Sequence, residues 1–326
     1  MKVAFAGFRH DHIYSLYNEV KSLPELTVIG AWEEQPEFAE EAKKTVSEPF
    51  YESYEALLAD PSVDIVAIGD YYGIRGKRVL QALRAGKAVV TDKPLCTSLE
   101  ELAEIEKISL EKSVPVGIQL ELRNDPILQA AESIIRGGEL GEIRSVTFTA
   151  QHPLNYGVRP SWYFEEGKHG GTFNDIAIHA MDALTWITGY AYSNTLFARQ
   201  WNDYATEEKD FADSAQFNGL LENGAAVMAD LSYSGPTAAF KLPSYWRFTF
   251  WCTKGYLECK TGASTLVMAA AGEAEPRVVE AKEPVKRALE AFLCEVREGK
   301  PSENTASCIA ASRAALMLQR FADEQR

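Results

Sequence analysis

The sequence has few cysteines and no long hydrophobic run, and both shortages narrow what the chain can be. Its five cysteines are scattered, odd in number and never spaced as C-x-x-C, which predicts reduced thiols. No apolar stretch approaches the ~20 residues that a transmembrane helix needs. The first residues, "MKVAFAGF", lack a small-residue cleavage site and indicate a strand instead of a signal peptide. We therefore expect a cytoplasmic protein.

Positive charge is also scarce. Lysine and arginine together number 33 against 47 aspartates and glutamates, and the formal net charge is -14. Because this excess repels nucleic acid and anionic membranes, neither is an expected partner. The 326 residues are too many for one typical core and favour two domains.

The first third of the chain alternates apolar strands with helices. The strand signals are "KVAFAG", "LTVIGAW", "VDIVAIG", "AVVTDKP" and "VPVGIQL", and helical patterns lie between them. Strands that are apolar throughout and alternate with helices predict a parallel, doubly wound sheet. Such a sheet binds ligands at the carboxyl ends of its strands. We thus expect a Rossmann-like α/β domain over residues 1–119.

The pattern changes after about residue 120. "EIRSVTFTAQHP" and "YWRFTFWCTKGYLECK" alternate as antiparallel strands do, and Asn223-Gly224 is typical of a hairpin turn. Helices are predicted over "GTFNDIAIHAMDALTWITG", "EPVKRALEAFLCEVREGK" and "TASCIAASRAALMLQRFADEQR". These signals predict an α+β domain over 120–326 with a large, mainly antiparallel sheet. Its last helix is a candidate to pack back on the first domain.

The turn "GFRHDH" after the first strand lacks two expected glycines. A dinucleotide-binding turn has G-x-G-x-x-G, in which glycines permit tight geometry and close approach of a pyrophosphate. Here Gly7 is retained, but Arg9 and His12 occupy the other two glycine positions. The motif alone is therefore a weak indication of dinucleotide binding.

Three interpretations of this turn stay open. Backbone N–H groups at a helix N-terminus can still bind phosphate, with Phe8, Arg9 and His10 as further cofactor contacts and Arg9 donating to a phosphate. His10, Asp11 and His12 are instead candidate metal ligands, although no third ligand is apparent beyond this run. An ordinary turn capped by Asp11 is the simplest alternative. Within this fold we favour a modified dinucleotide turn and expect no metal.

Acidic residues follow the second and third strands. Glu33 stands where an acid binds the adenosine ribose hydroxyls, and Glu34 beside it would repel a 2′-phosphate, which favours NAD over NADP. A solvated acidic loop is the alternative. Asp70 and Tyr71 follow the third strand, where we expect the nicotinamide end of the cofactor.

Two further motifs carry candidate catalytic groups. Asp92-Lys93-Pro94 ends the fourth strand, where a fixed positive charge on Lys93 would favour an alkoxide. Asp175 and His179 are four apart in a helical pattern, so both are predicted to project from one face. A carboxylate beside an imidazole can orient the ring and stabilise its charged form. The alternative is a helix-terminal carboxylate and an ordinary histidine.

Together with "ENGAAVMADLSYS" and "TKGYLEC", these motifs resemble the glucose–fructose oxidoreductase/inositol dehydrogenase/MocA family over nearly the whole chain. The resemblance implies an NAD-dependent oxidoreductase of carbohydrate metabolism that forms homodimers or homotetramers through its large sheet. It implies that His179 is the general base, that Asp175 is its partner or a substrate contact, and that Lys93 polarises the substrate. Asp92 and Lys93 would also contact the cofactor. Asp92 replaces the family's usual glutamate.

One segment departs from the family. After the third strand the family has a Thr-Pro-Asn-like turn followed by a histidine, whereas this chain has "DYYGIRG" with Arg75 at the histidine position. We favour a dehydrogenase acting on a sugar, a polyol or a related hydroxylated metabolite. The departure leaves two alternatives: a non-redox enzyme such as an NAD-assisted glycosidase, or a nucleotide- or sugar-sensing protein.

Candidate substrate contacts lie around the D-x-x-x-H motif. Aromatic side chains with polar tips suit sugar rings, and Tyr156 and Trp162 precede the motif in a loop rich in such residues. Arg123 follows the last strand of the first domain and is a candidate to contact an acidic or hydroxylated small-molecule substrate. His179 is a further candidate substrate contact. A structured loop or a subunit contact would explain the same aromatic residues.

Overall fold

The computed structural model describes residues 1–234, 246–281 and 288–325. The chain forms two compact units, and later segments join the first one. The first unit is Met1–Gln119 with Pro160–Gly170 and Leu289–Ile309. The second is Leu120–Arg159, Gly171–Ala288 and Ala310–Arg326.

The first unit is built on a five-stranded parallel sheet. Its order is β2-β1-β3-β4-β5, as expected for a doubly wound fold. Every residue of β3 and β4 is buried, which explains why these strands are apolar without alternation. The strands are β1 (Lys2–Ala6), β2 (Thr27–Trp32), β3 (Ile65–Ile68), β4 (Ala88–Asp92) and β5 (Val116–Gln119).

Helices connect these strands with one apolar face each. In the first helix, Ile13, Leu16, Tyr17 and Val20 are buried, the spacing that puts one stripe of a helix on a core. The helices are α1 (His12–Ser22), α2 (Pro36–Ala42), α3 (Tyr54–Ala59), α4 (Tyr72–Arg84) and α5 (Leu99–Lys112). A 3₁₀ turn at Ser161–Phe164 and most of α8 (Ala288–Glu298) also belong to this unit.

The second unit contains an eight-stranded sheet of order β13-β12-β11-β10-β6-β9-β8-β7. Among the described strands of this second sheet, only β6 and β9 pair in parallel, so the predicted mainly antiparallel sheet is confirmed. The strands are β6 (Ile143–Gln151), β7 (Tyr192–Trp201), β8 (Ser214–Leu221), β9 (Ala226–Ser232), β10 (Trp246–Cys252), β11 (Gly255–Lys260), β12 (Thr265–Ala270) and β13 (Arg277–Glu280).

The helix predicted across the D-x-x-x-H motif is divided in the structure. A π-helical turn, Phe173–Ala177, precedes α7 (Ile178–Thr188). Asp175 therefore lies on the wide turn and His179 on the α-helix, so the simple four-residue spacing of one α-helix does not apply. Such π turns are frequent at functional sites. The remaining helices are a 3₁₀ turn at Glu121–Asn124, α6 (Pro126–Gly137) and α9 (Glu303–Asp323), whose residues up to Ile309 belong to the first unit.

Three predicted elements extend past the described ranges. The strand predicted from Tyr245 and the helix predicted from Glu283 begin outside the described residues, and Arg326 at the end of the last predicted helix is also outside them. Across the described part of the chain, no helix is both long and apolar enough to cross a membrane. All five cysteines are free thiols.

Candidate active site

The turn after β1 requires glycine at its first position. Gly7 has φ +78°, and a Cβ atom at this residue would lie 2.8 Å from both the backbone nitrogen and the Cβ of Asp70. Its own N–H donates to the carbonyl of Trp32 at 2.9 Å, which ties the turn to the end of β2. The close approach of two strand ends therefore explains the one retained glycine of the motif.

We expect Gly7→Ala to destabilise the first unit by more than the strain of a positive φ alone. That strain costs about 1 kcal/mol, and Gly86→Ala measures it separately because Gly86 has φ +75° with nothing within 4 Å of its added Cβ. In urea unfolding, the free energy of unfolding of Gly7→Ala should be well below that of Gly86→Ala. Equal losses in the two variants would show that the contact with Asp70 does not matter.

The carboxylate of Glu33 organises the same turn. It accepts hydrogen bonds from the backbone N–H of Phe8 at 2.6 Å, the backbone N–H of Gln35 at 2.8 Å and Nε of Arg9 at 3.2 Å. A carboxylate has about four acceptor positions, so one remains for a ribose hydroxyl. The Glu33 side chain is fully buried and paired with Arg9, so neighbouring side chains must shift to admit one. The retained turn and this acid fit a dinucleotide.

Arg9 points to carboxylates instead of the helix N-terminus. Its guanidinium also contacts Glu34 at 3.0 Å and Asp70 at 3.3 Å, and Arg78 contacts the same oxygen of Glu34 at 3.0 Å. Burial raises the pKa of Asp70 to about 6, although Arg9 opposes the shift. The predicted phosphate contact of Arg9 thus requires its side chain to leave this cluster.

A second cluster surrounds Asp92 at the end of β4. Nδ1 of His10 contacts Oδ2 of Asp92, and Arg75 donates to that same oxygen at 2.9 Å. Burial opposes ionisation of Asp92, but His10 and Arg75 hold its pKa well below the usual range. Burial lowers the pKa of His10 to about 3, although Asp92 opposes the shift. Oδ2 of Asp92 therefore lies against both an imidazole nitrogen and a guanidinium.

Lys93 is held beside this cluster by Tyr72. Nζ of Lys93 donates to the Tyr72 hydroxyl at 3.3 Å, and that hydroxyl lies 3.0 Å from Nε2 of His10. Arg75 also donates to the carbonyls of Asp92 at 2.7 Å and Pro94 at 3.0 Å. These bonds fix the backbone on both sides of Lys93 and so position its ammonium group.

The sequence places Tyr72 near the expected nicotinamide end and Arg75 at the family's histidine position, but it did not indicate the contacts that Tyr72, Arg75 and Arg78 make. The sequence did contain a signal for their proximity. In "YYGIRGKR" the three residues stand at three-residue intervals, the spacing of neighbours on one helix face. Trp162, a predicted substrate contact, belongs to the first unit. Its indole N–H donates to the carbonyl of Arg9 at 3.0 Å and its side chain is only 4% exposed, so it packs inside the first unit.

Asp175 and His179 lie in the second unit, whereas Lys93 belongs to the first. Asp175 is buried, and its Oδ2 accepts a hydrogen bond from the Tyr233 hydroxyl. His179 is partly buried, and its ring lies 5.7 Å from that of Trp246. The second unit thus holds a buried carboxylate and an imidazole in consecutive turns of one helical segment.

The other two predicted substrate residues have protein partners. Arg123 forms a two-pronged ion pair with the buried Asp182, with Nε donating to Oδ2 at 2.7 Å. Tyr156 is 49% exposed, and its hydroxyl donates to Glu208 at 3.0 Å. Tyr156 therefore offers accessible surface, while the charge of Arg123 is already balanced.

Comparison with known families covers both parts of the chain. Residues 1–120 match the model of an oxidoreductase family with an NAD-binding Rossmann fold, and residues 128–258 match the GFO/IDH/MocA C-terminal domain. These matches confirm the resemblance predicted from the motifs and the predicted NAD cofactor.

Individual relatives are moderately similar. The chain is 26% identical to a D-xylose dehydrogenase of Paenarthrobacter nicotinovorans over 52% of this chain and 46% of the relative. It is 27% identical to D-xylose 1-dehydrogenase (NADP(+)) 2 of Haloferax volcanii over 77% and 75%. Several matches span about half of the relative or less, from 39% to 51%.

Among solved structures, an oxidoreductase described as putative from Erwinia carotovora atroseptica superposes with a TM-score of 0.89 at 24% identity, covering 99% of this chain and 98% of its own. At that identity the likeness concerns the fold, and it confirms the predicted arrangement of a parallel sheet and a larger, mostly antiparallel one.

Proposed function

The chain belongs to the GFO/IDH/MocA oxidoreductase family, and we propose that it is an NAD(H)-dependent dehydrogenase. Its substrate would be a sugar, a polyol or a related metabolite that is oxidised at a secondary hydroxyl. The names of the D-xylose dehydrogenase relatives support this substrate class. Lys93 is the observation that carries the proposal, because Tyr72 and the backbone contacts of Arg75 hold its ammonium group at the carboxyl end of β4.

The cofactor would be held by the turn at Gly7 and by Glu33. When bound, NAD supplies the acceptor for the hydrogen and electron pair that leave the substrate carbon. We propose NAD over NADP because Glu33, Glu34 and Asp70 outnumber Arg9 and Arg78 in the cluster. A 2′-phosphate would add negative charge where both guanidinium groups already have carboxylate partners.

Proton transfer would fall to the D-x-x-x-H motif of the second unit. We propose that His179 accepts the proton of the substrate hydroxyl and that Asp175 stabilises the imidazolium so formed. The charge of Lys93 would favour the alkoxide that develops on the substrate oxygen. Asp92 and Tyr71 remain proposed cofactor contacts, and Arg123, Tyr156 and Trp162 remain proposed substrate contacts.

Calorimetric titration with NADH and NADPH, followed by a screen of sugars and polyols for NAD reduction, tests the proposal. We expect NADH to bind at least about tenfold more tightly, a difference of ~1.4 kcal/mol. Glu34→Gln should reduce the preference for NADH over NADPH, because it frees Arg9 and Arg78 to bind a 2′-phosphate. Glu104→Gln is the matched control, because Glu104 is also half-exposed and paired with an arginine, Arg84.

Other outcomes would point to the alternative functions. Cofactor that stays bound through purification, with substrate turnover but no net NADH release, would indicate an NAD-assisted elimination such as a glycosidase reaction. Absence of binding by either dinucleotide, with none carried through purification, would contradict the dehydrogenase and favour a sensor.

Assembly and location stay predictions. A homodimer or homotetramer is supported by exposed apolar side chains on several strands of the large sheet, namely Phe197, Met228, Trp251 and Val267. A cytoplasmic location rests on the sequence argument alone.

A further inference from the structure

His10 in the turn after β1 and His12 at the start of α1 converge on the carboxylate that ends β4. His10, His12 and Asp92 each offer one ligand atom, and these three atoms all lie within 4.8 Å of one another. We propose that they form a binding site for one divalent first-row transition metal ion, best suited to zinc. The third ligand is Asp92, 80 residues away from His12 in sequence, and not Asp11 between the two histidines.

The unsatisfied oxygen of Asp92 points to a missing ligand. Asp92 is fully buried, and its Oδ1 has no hydrogen-bond partner among the described residues. Its contact with Nδ1 of His12 is 3.5 Å long. A buried carboxylate oxygen without a partner is costly, and a cation between this oxygen and the imidazole nitrogens would satisfy it.

Neighbouring groups orient the proposed ligands. Arg75 donates to Oδ2 of Asp92 at 2.9 Å, which fixes the plane of the carboxylate. The hydroxyl of Tyr72 lies 3.0 Å from Nε2 of His10, so Nδ1 is the ring nitrogen on the side of Asp92. Outer partners on the second nitrogen of a histidine ligand are typical of metal sites, because they fix the orientation of the ring.

The donor set selects the class of metal. Two imidazole nitrogens and one carboxylate suit zinc and neighbouring transition metals, whereas magnesium and calcium prefer oxygen ligands. Three protein ligands leave a fourth position for water or another oxygen ligand, as in zinc sites with an open position. His12 is 35% exposed and gives an ion a path from solvent. The nearby charge of Arg75 will weaken binding of any cation.

Cobalt(II) is the best first probe, because its visible absorption reports the number and geometry of its ligands without any enzymatic assay. Protein treated with EDTA should bind about one Co²⁺ per chain with the spectrum of a site of low coordination number, and Zn²⁺ should displace it. His12→Ala should weaken binding at least 10- to 100-fold, the loss seen even for outer-shell changes. The partly exposed position of His12 makes this variant a mild change to the fold.

Asp11→Ala is the matched control. Asp11 is exposed, lies between the two histidines, and its side chain makes no capping hydrogen bond to α1. The Asp11→Ala variant should bind Co²⁺ as the unchanged protein does. Asp92→Asn should lose Co²⁺ binding, and thermal unfolding checks that this variant is still folded. The proposal fails if the unchanged protein binds neither ion, or if His12→Ala binds as tightly as Asp11→Ala. The experiment contains no dinucleotide, so its failure would leave the proposed dehydrogenase untouched.

Discussion

Replacing Lys93 by methionine is expected to lower kcat by about 10²- to 10³-fold, the usual effect of removing one group that stabilises developing charge. Methionine keeps much of the length and apolar stem of the side chain but removes the ammonium group. NADH affinity should stay close to that of the unchanged protein, since the turn at Gly7 and Glu33 is not altered. Stopped-flow measurement of NADH formation, together with calorimetry of NADH, separates the two effects.

The chain offers a control at the opposite end of the same strand. Lys87 precedes β4 as Lys93 follows it, and both are buried. Nζ of Lys87 donates to the carbonyls of Asp60 at 2.7 Å and Val63 at 2.8 Å, so its role is to satisfy backbone acceptors. Lys87→Met should lower the free energy of unfolding and leave kcat near its original value. Equal losses of kcat in both variants would mean that Lys93 acts through stability, and normal turnover in Lys93→Met would remove it from the mechanism.

Much of the fold could be predicted from local patterns. β3 and β4 of the first sheet are buried on both faces and therefore show no alternation, while β6 of the large sheet alternates. Both patterns depend on the immediate neighbours of each residue in sequence. The partners within the site depend on distant residues instead. His10 meets Asp92 from 82 positions away, and Trp162 meets Arg9 from 153.

The direction of a charged side chain was the hardest feature to predict. Arg9 stands in the turn proposed to bind phosphate, where a guanidinium is expected to face the ligand, but three nearby carboxylates attract it. Two of these, Glu33 and Glu34, were identified from sequence as ribose-selecting groups. That they would pair with Arg9 follows only when the ends of β1 and β2 are seen side by side.

Helical periodicity likewise could not distinguish the π turn at Phe173–Ala177 from an α turn, because both bury the same apolar side chains.

His179→Asn should lower kcat by about 10²- to 10⁴-fold, the range for loss of a general base. Asp175→Asn should also lower kcat strongly, because an amide cannot stabilise an imidazolium as a carboxylate does. The second effect needs a control, since Asp175 is buried and bonded to Tyr233. Asp230→Asn is the control. Asp230 is a carboxylate of the same unit, and its oxygens accept hydrogen bonds from the side-chain amides of Gln151 and Gln216, each at 2.8 Å.

The double variant decides whether Asp175 works through His179. Catalytic groups that act as a unit give losses far smaller than the product of the single losses. If Asp175 serves to stabilise the imidazolium, its replacement matters little once His179 is asparagine, and the double variant should be nearly as active as His179→Asn alone. Losses that multiply would instead assign Asp175 an independent role, such as a direct contact with the substrate, and KM would then rise in Asp175→Asn while remaining unchanged in Asp230→Asn. Comparison of the two single variants with the double variant therefore distinguishes the two possible roles of Asp175, as the partner of His179 or as a substrate contact.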